Sequence, residues 1–312
     1  MANVSEGYFD ERTVQYLEFE KLVRIIIPII FGLVFITGCT GNIFVIIISL
    51  KFKNMKTINN VMIFALATAD LCFLVLCVPF TALGYTLPKY HFGSIWCKIS
   101  NYIIYVSAYV SVYFMCLMSM DRFLAIVYPL SSKRFRTRSN IYTGIACVIF
   151  FSCVINIQIF FVLEYQEYYF YEEKRSTCAL IYDKRNMVEI FFLTFGIFNY
   201  CFPFIVITVL NGSIFITLLR TRSFRSSNIS RNVRAAKIVF AIELGYFVCW
   251  TPIHVVFFLQ NFTNVDSTTE IIIAQYIGNV LAYSNSCLNP ILYTFVSKEY
   301  REKMKELLNM NN

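Results

Sequence analysis

Seven stretches of this chain are apolar over lengths that few folds can use: Leu22–Leu50, Ile58–Tyr85, Ile95–Val127, Ile141–Leu163, Met187–Leu219, Val233–Leu259 and Glu270–Val296. Each supplies the roughly 20 residues a helix needs to cross hydrocarbon, some with tilt. Inside hydrocarbon every backbone amide must be paired, which leaves helices or a closed barrel. Barrel strands alternate apolar and polar residues over about ten positions. Runs such as IIIPIIFGLVFITG and VFAIELGYFVCW do not alternate. The expected fold is therefore an all-α membrane protein, a seven-transmembrane helix bundle. Composition agrees: 58% of the 312 residues are hydrophobic and only 15% charged, against roughly 45–50% and about 25% in globular domains.

Met1–Glu20 carries five acids and one base and has no apolar core, so it does not read as a signal peptide. The first apolar stretch is too long for a signal core and reads as an uncleaved span. With the amino terminus outside, the inner segments carry seventeen Lys and Arg and the outer segments nine, beside thirteen Asp and Glu. That asymmetry satisfies the positive-inside rule. The net charge of +8 is thus a feature of the inner membrane face, and no nucleic-acid partner is expected. Three parts follow: an outer amino terminus (1–21), a seven-span domain (22–297) and an inner tail (298–312). In the tail, SKEYREKMKELL places Tyr300, Met304, Leu307 and Leu308 on one face, as in a short amphipathic helix lying on membrane lipid.

Polar groups inside spans are costly and so are candidates for function. Asp70 sits within the second span, Ser107 and Ser111 one turn apart in the third, and Asn285, Ser286 and Asn289 in the seventh. One carboxylate among neutral oxygens suits a hard monovalent cation such as sodium; a polar network that only glues helices is the other reading. Asp121-Arg122 lies at the inner end of the third span, either as a releasable ion pair or as an interface anchor. Trp250 precedes Pro252, where a ring beside a kink registers what lies above it, unless it simply packs. Cys97 and Cys178 are the two cysteines placed outside, where a disulfide forms readily. Of the outer sequons, Asn3-Val4-Ser5 is the expected glycosylation site, because Asn261 lies close to the membrane.

Together these residues resemble the rhodopsin-like G-protein-coupled receptors over nearly the whole chain. The resemblance rests on Gly41-Asn42, Leu66-Ala67-Thr68-Ala69-Asp70, Cys97 with Asp121-Arg122-Phe123, Pro203, Cys249-Trp250-Thr251-Pro252 and Asn289-Pro290-Ile291-Leu292-Tyr293, in order and on the matching spans. It implies a cell-surface receptor at the plasma membrane that opens its inner face to a heterotrimeric G protein, with arrestin as a further partner. Trp250 and Pro252 would form the lever. Asn289, Pro290 and Tyr293 would rearrange, Arg122 released from Asp121 would meet the G protein, and Asp70, Ser111, Asn285 and Asn289 would hold sodium. No other cofactor is expected.

The position that carries an amine-pairing aspartate in aminergic members is Ile104, and the retinal-binding lysine of opsins is replaced by Tyr283. VPFTALGYTLPKYHFGSIWCK and LAYSNSCLNPILYTFVS look like the galanin, allatostatin-A and kisspeptin neuropeptide receptor group. The expected ligand is a neuropeptide held by the outer loops and the mouth of the bundle, at Ile104, Tyr105, His254, Tyr283, Glu172 and Glu173. The acidic outer face would favour a cationic ligand. For His254 an interhelical hydrogen bond is the competing reading.

The chain also departs from the family pattern. Ile149 stands where the fourth span usually has tryptophan, Gln158 near a missing proline, and Asn211 where the fifth span usually has tyrosine. Near Asn232 no acid is available to hold Arg122, so raised basal activity is expected. Glu243, within the apolar sixth span, has no evident partner. A chemosensory or lipid receptor on the same fold is the alternative function, and a seven-helix transporter a distant one, since no repeated halves occur. No nucleophile–base constellation points to an enzyme.

Overall fold

The computed structural model describes residues 11–52, 57–170, 173–220, 227–263, 265, 268–296 and 298–309. Asn3 and Glu172 lie outside them. The first span is α1 (Glu11–Lys51), with Pro28 inside it. The second is split into α2 (Ile58–Leu76) and α3 (Val78–Thr86). The third is α4 (Gly93–Val127), followed by a single turn, α5 (Ser132–Phe135). The fourth runs through α6 (Arg138–Ile155), a 3₁₀ turn (Asn156–Gln158) and α7 (Ile159–Val162). An antiparallel hairpin, β1 (Leu163–Phe170) and β2 (Glu173–Leu180), precedes the fifth span. That span is α8 (Arg185–Phe195), a π-helical segment (Gly196–Cys201) and α9 (Phe202–Arg220). The sixth is α10 (Ser227–Phe262), the seventh α11 (Thr269–Val296), and α12 (Lys298–Asn309) follows.

Among the described residues, six helices are long and apolar enough to cross a membrane by composition. α11 is also long enough, but Asn279, Asn285, Ser286 and Asn289 dilute its apolar character. Three of these, Asn285, Ser286 and Asn289, are buried, as expected of polar groups in a span that face the bundle interior. The outer surface shows the complementary pattern: Ile36 is 62% exposed and Phe150 71% exposed. In water such a surface would drive aggregation; in lipid it is the solvated face.

Breaks in the spans have local causes. Pro79 stands in the first turn of α3, so its missing N–H ends α2 without a lost bond. The fourth span breaks with no proline at all. There Asn156, buried, donates to the Ser152 carbonyl at 2.8 Å, and an amide that bonds the backbone locally competes with the regular ladder. The π segment lies just before Pro203. Its neighbourhood carbonyls accept from side chains of other spans: Tyr109 to Thr194 at 3.2 Å, Tyr113 to Phe198 at 2.9 Å and Tyr246 to Asn199 at 3.3 Å. Such cross-span partners satisfy backbone groups that a distorted helix leaves open.

α1 begins well before the expected span. Its extension holds Glu20, which pairs with Arg24 one turn on at 2.9 Å and with Arg175 of β2 at 2.7 Å. At the other end of the bundle, α12 buries Tyr300 and Leu307, while Leu308 is exposed. Lys303 lies over the Phe52 ring, 4.6 Å from its centroid, and Tyr293 stacks on Tyr300. The apolar face of α12 thus packs partly on the bundle itself.

α11 and α10 approach closely at Gly278, where an added Cβ would sit 3.0 Å from the Ile253 backbone. Gly84 meets nothing within 4 Å. Gly278→Val should therefore destabilise the bundle by about 1–3 kcal/mol through overpacking, lowering the midpoint of thermal unfolding in detergent. Gly84→Ala, in contrast, should leave that midpoint unchanged or raise it slightly.

Candidate ligand cavity and signalling face

At the hairpin end the spans surround a cavity of about 610 Å³. α3 contributes Thr81 and Tyr85, α4 contributes Asn101, Ile104 and Tyr105, and α11 contributes Gln275, Asn279 and Tyr283. α10 adds Phe257, Gln260 and Asn261, and residues Ser176 to Leu180 of β2 cover the mouth. The disulfide between Cys97 and Cys178 anchors that strand to α4. Wall polar groups bond across helices: Tyr283 with Thr81 at 3.1 Å, Asn279 donating to Tyr85 at 3.1 Å, and Gln260 to Gln275 at 2.9 Å. Among the described residues, none that lines the cavity is charged. The site is aromatic and amide-rich, with its polar groups already oriented.

Ile104, Tyr105 and Tyr283 stand in this wall. His254 does not: its ring lies 4.7 Å from those of Phe195 and Tyr200, in an aromatic layer behind the wall. Its Nε2 has no hydrogen-bond partner among the described residues, so the interhelical bond considered for it is not formed either. Glu173 is exposed on the rim and pairs with Arg175 at 3.0 Å. Glu167 pairs with Lys174 at 2.7 Å, and that hydrogen bond holds its carboxyl below the ordinary carboxylate value. The rim acids expected to attract a cation are thus partly committed to bases beside them. Asn261, half-buried in the cavity wall, donates to the Phe257 carbonyl at 2.8 Å.

Trp250 forms part of the cavity floor and also borders a smaller void of about 20 Å³ beneath it. Ser107, Ser111, Asn285 and Ser286 line that void, which has room for one water-sized species. Asp70, 2% exposed, stands beside it and accepts from Ser111 at 3.4 Å, Ser286 at 3.0 Å and Asn289 at 2.8 Å. The amide oxygens of Asn285 and Asn289 are buried without a partner among the described residues. A carboxylate, hydroxyls and two free amide oxygens form a donor set suited to a hard monovalent ion. Ser107 lines the void, while the donors to Asp70 are Ser111, Ser286 and Asn289.

At the α12 end, Asp121 accepts from Arg122, its neighbour, and from Arg136, at 2.6 Å and 3.2 Å. One buried carboxylate is thus shared by two guanidinium groups. Arg136 follows α5, and sequence spacing gave no sign of its role. The sequence left the partner of Glu243 unidentified. It accepts from Asn211 of α9 at 2.6 Å and also from Ser119 of α4. Pro290 lies within α11 and Pro252 within α10, and both helices continue past them. Tyr293 is fully buried.

The family model for seven-transmembrane receptors of the rhodopsin family matches residues 41–293. The chain belongs to that family. It is 34% identical to the allatostatin-A receptor of Bombyx mori over 93% of this chain and 81% of that receptor. It is 32% identical to a galanin-like G-protein coupled receptor of Caenorhabditis elegans, over 94% of this chain and 75% of that one. Galanin receptor 2a of Danio rerio is likewise 32% identical, over 92% and 79%. The chain is therefore a multi-pass membrane receptor and not an enzyme.

Arg175 joins the receptor's α1 extension to its hairpin through Glu20 and Glu173. Arg175→Ala should leave two neighbouring carboxylates without a common base and loosen β2. Backbone amides of residues 173–180 should then exchange hydrogen several-fold faster, measured by mass spectrometry in detergent or nanodiscs.

Proposed function

We propose that this receptor sits in the plasma membrane with the hairpin outside, binds a neuropeptide in the cavity beneath it, and signals through a heterotrimeric G protein at the α12 end. The observation that carries this reading is the cavity itself: about 610 Å³, open toward the hairpin, walled by aromatic and amide side chains and by no charge among the described residues. A peptide terminus can enter, while the rest of the peptide lies on β1, β2 and the rim. The names of the relatives, an allatostatin-A receptor and galanin receptors, support a peptide over a chemosensory or lipid ligand. Orientation is supported by the Lys and Arg excess on the α12 side. Arrestin would share the face that Arg122 occupies.

A neutral cavity discriminates between peptide termini. Burying a free carboxylate without a counter-charge is costly, whereas a carboxamide can exchange hydrogen bonds with Gln260, Gln275 and Asn279. Among a library of neuropeptides tested on cells expressing the receptor, C-terminally amidated forms should bind at least tenfold more tightly than the matching free acids. Tyr105→Ala and Tyr283→Ala should each weaken that binding by tenfold or more. Equal affinity of acid and amide, with both variants unchanged, would reject this cavity as the peptide site.

Asp70, Ser111, Asn285 and Asn289, with Ser107 lining the void, would hold a sodium ion. When bound, the ion would supply the positive charge that offsets Asp70. Raising sodium against choline at constant ionic strength should lower agonist affinity, and Asp70→Asn should abolish the difference.

A further inference from the structure

Glu243 and Asn211 are two departures from what their spans ordinarily carry, and the structure places them together. Glu243 is 1% exposed on α10. One of its oxygens accepts from Asn211 Nδ2 on α9 at 2.6 Å, and the other accepts from Ser119 Oγ on α4. A single carboxylate therefore ties three helices. One turn toward the hairpin, Phe204 of α9 meets Phe247 of α10 with ring centroids 4.9 Å apart. An apolar-walled cleft of about 580 Å³ lies between the two helices, bounded by Phe204, Phe215, Phe240 and Leu244, with Glu243 and Asn211 at its margin.

Placement gives this tie a direction. Ser119 lies one turn from Arg122 on α4, so the tie and the Asp121–Arg122 pair share one helix end. Its donors stand on α4 and α9 and its acceptor on α10, so α10 cannot leave α4 without exposing unpaired polar atoms. In hydrocarbon such atoms are costly. α10, which has no acid near Asn232 to meet Arg122, is thus tied to α4 deeper in its own length.

We propose that Glu243, with Asn211 and Ser119 as its positioning partners, is a latch that holds α9 and α10 against α4 in the resting receptor, and that its release favours the signalling state. This rests on the reading above, in which the α12 end opens toward a G protein. A plain structural tie, unchanged by opening, would stabilise both states equally and shift nothing. A latch stabilises one of them.

The test uses full-length receptor in nanodiscs with two independent readouts, both without ligand. One is the distance between spectroscopic labels at Tyr128 and Lys237, both exposed, read without G protein. The other is nucleotide exchange on purified G protein. E243L should lengthen the label distance and raise exchange about tenfold, within the range typical of coupled sites. E243Q keeps an acceptor for Ser119 and an amide that can pair with Asn211, and should restore most of the resting distance. S119A should give a smaller lengthening, and S119A/E243L should go no further than E243L, because E243L already removes the bond that S119A deletes. Unchanged distance and exchange in E243L, with only a lower unfolding midpoint, would overturn the latch. Should E243L fail to fold, S119A decides, and an unaltered distance there overturns the proposal too. If the distance lengthens but neither variants nor peptide-treated receptor promotes exchange, the latch stands and the G-protein reading falls.

Discussion

Hydrocarbon offers no partner to a polar atom, and this one constraint organises the receptor. Every span must bond its own backbone, so the chain is helical wherever it meets lipid. Side chains that carry dipoles or charge must turn toward one another. Asn42 illustrates this: its amide donates to the Gly38 carbonyl at 2.9 Å and the Ser286 carbonyl at 3.0 Å, joining α1 to α11. The same rule gathers polar groups into layers along the bundle axis. Amides and phenols stand at the hairpin end, Asp70 with its donors below Trp250, Glu243 with Ser119 and Asn211 lower still, and Asp121 with two arginines at the far end. Between the layers lie apolar contacts such as Phe31 against Tyr283 and Trp250 against Tyr246.

Much of this architecture was legible in the chain, because the strongest signals were long and redundant. Apolar runs of span length need no partner to be recognised. The Cys97–Cys178 bond followed from topology, which leaves two cysteines on the oxidising side. Asp70 and the polar residues of α11 announced themselves by their cost in lipid. The start of α1 at Glu11 was not legible from hydropathy, since the extension before Leu22 is rich in polar residues and Glu20 within it pairs with Arg24 and Arg175.

Other features depend on contacts between helices far apart in sequence. His254 shares a helix face with Trp250, yet rotation and the neighbouring rings of Phe195 and Tyr200 turn it away from the cavity. The rim acids looked like a field for a cationic ligand, but Lys174 and Arg175, on the same hairpin, neutralise Glu167 and Glu173. Asn211 and Glu243 each looked anomalous alone. Two anomalies on spans that neighbour one another, one a hydrogen-bond donor and one an acceptor, were a signal available in the sequence. Only the packing shows that Ser119 completes the set.

Trp250 is at once the floor of the upper cavity and a wall of the small chamber beside Asp70. A rigid indole cannot yield to one compartment without encroaching on the other. Any occupants of the two spaces would therefore be thermodynamically linked, and the linkage would be symmetric: whatever one did to the affinity of the other would be returned in equal measure. Two aromatic rings shared by both voids, Trp250 and Tyr283, make the bundle a balance with two pans, in which a change of fit on either side is weighed against the other.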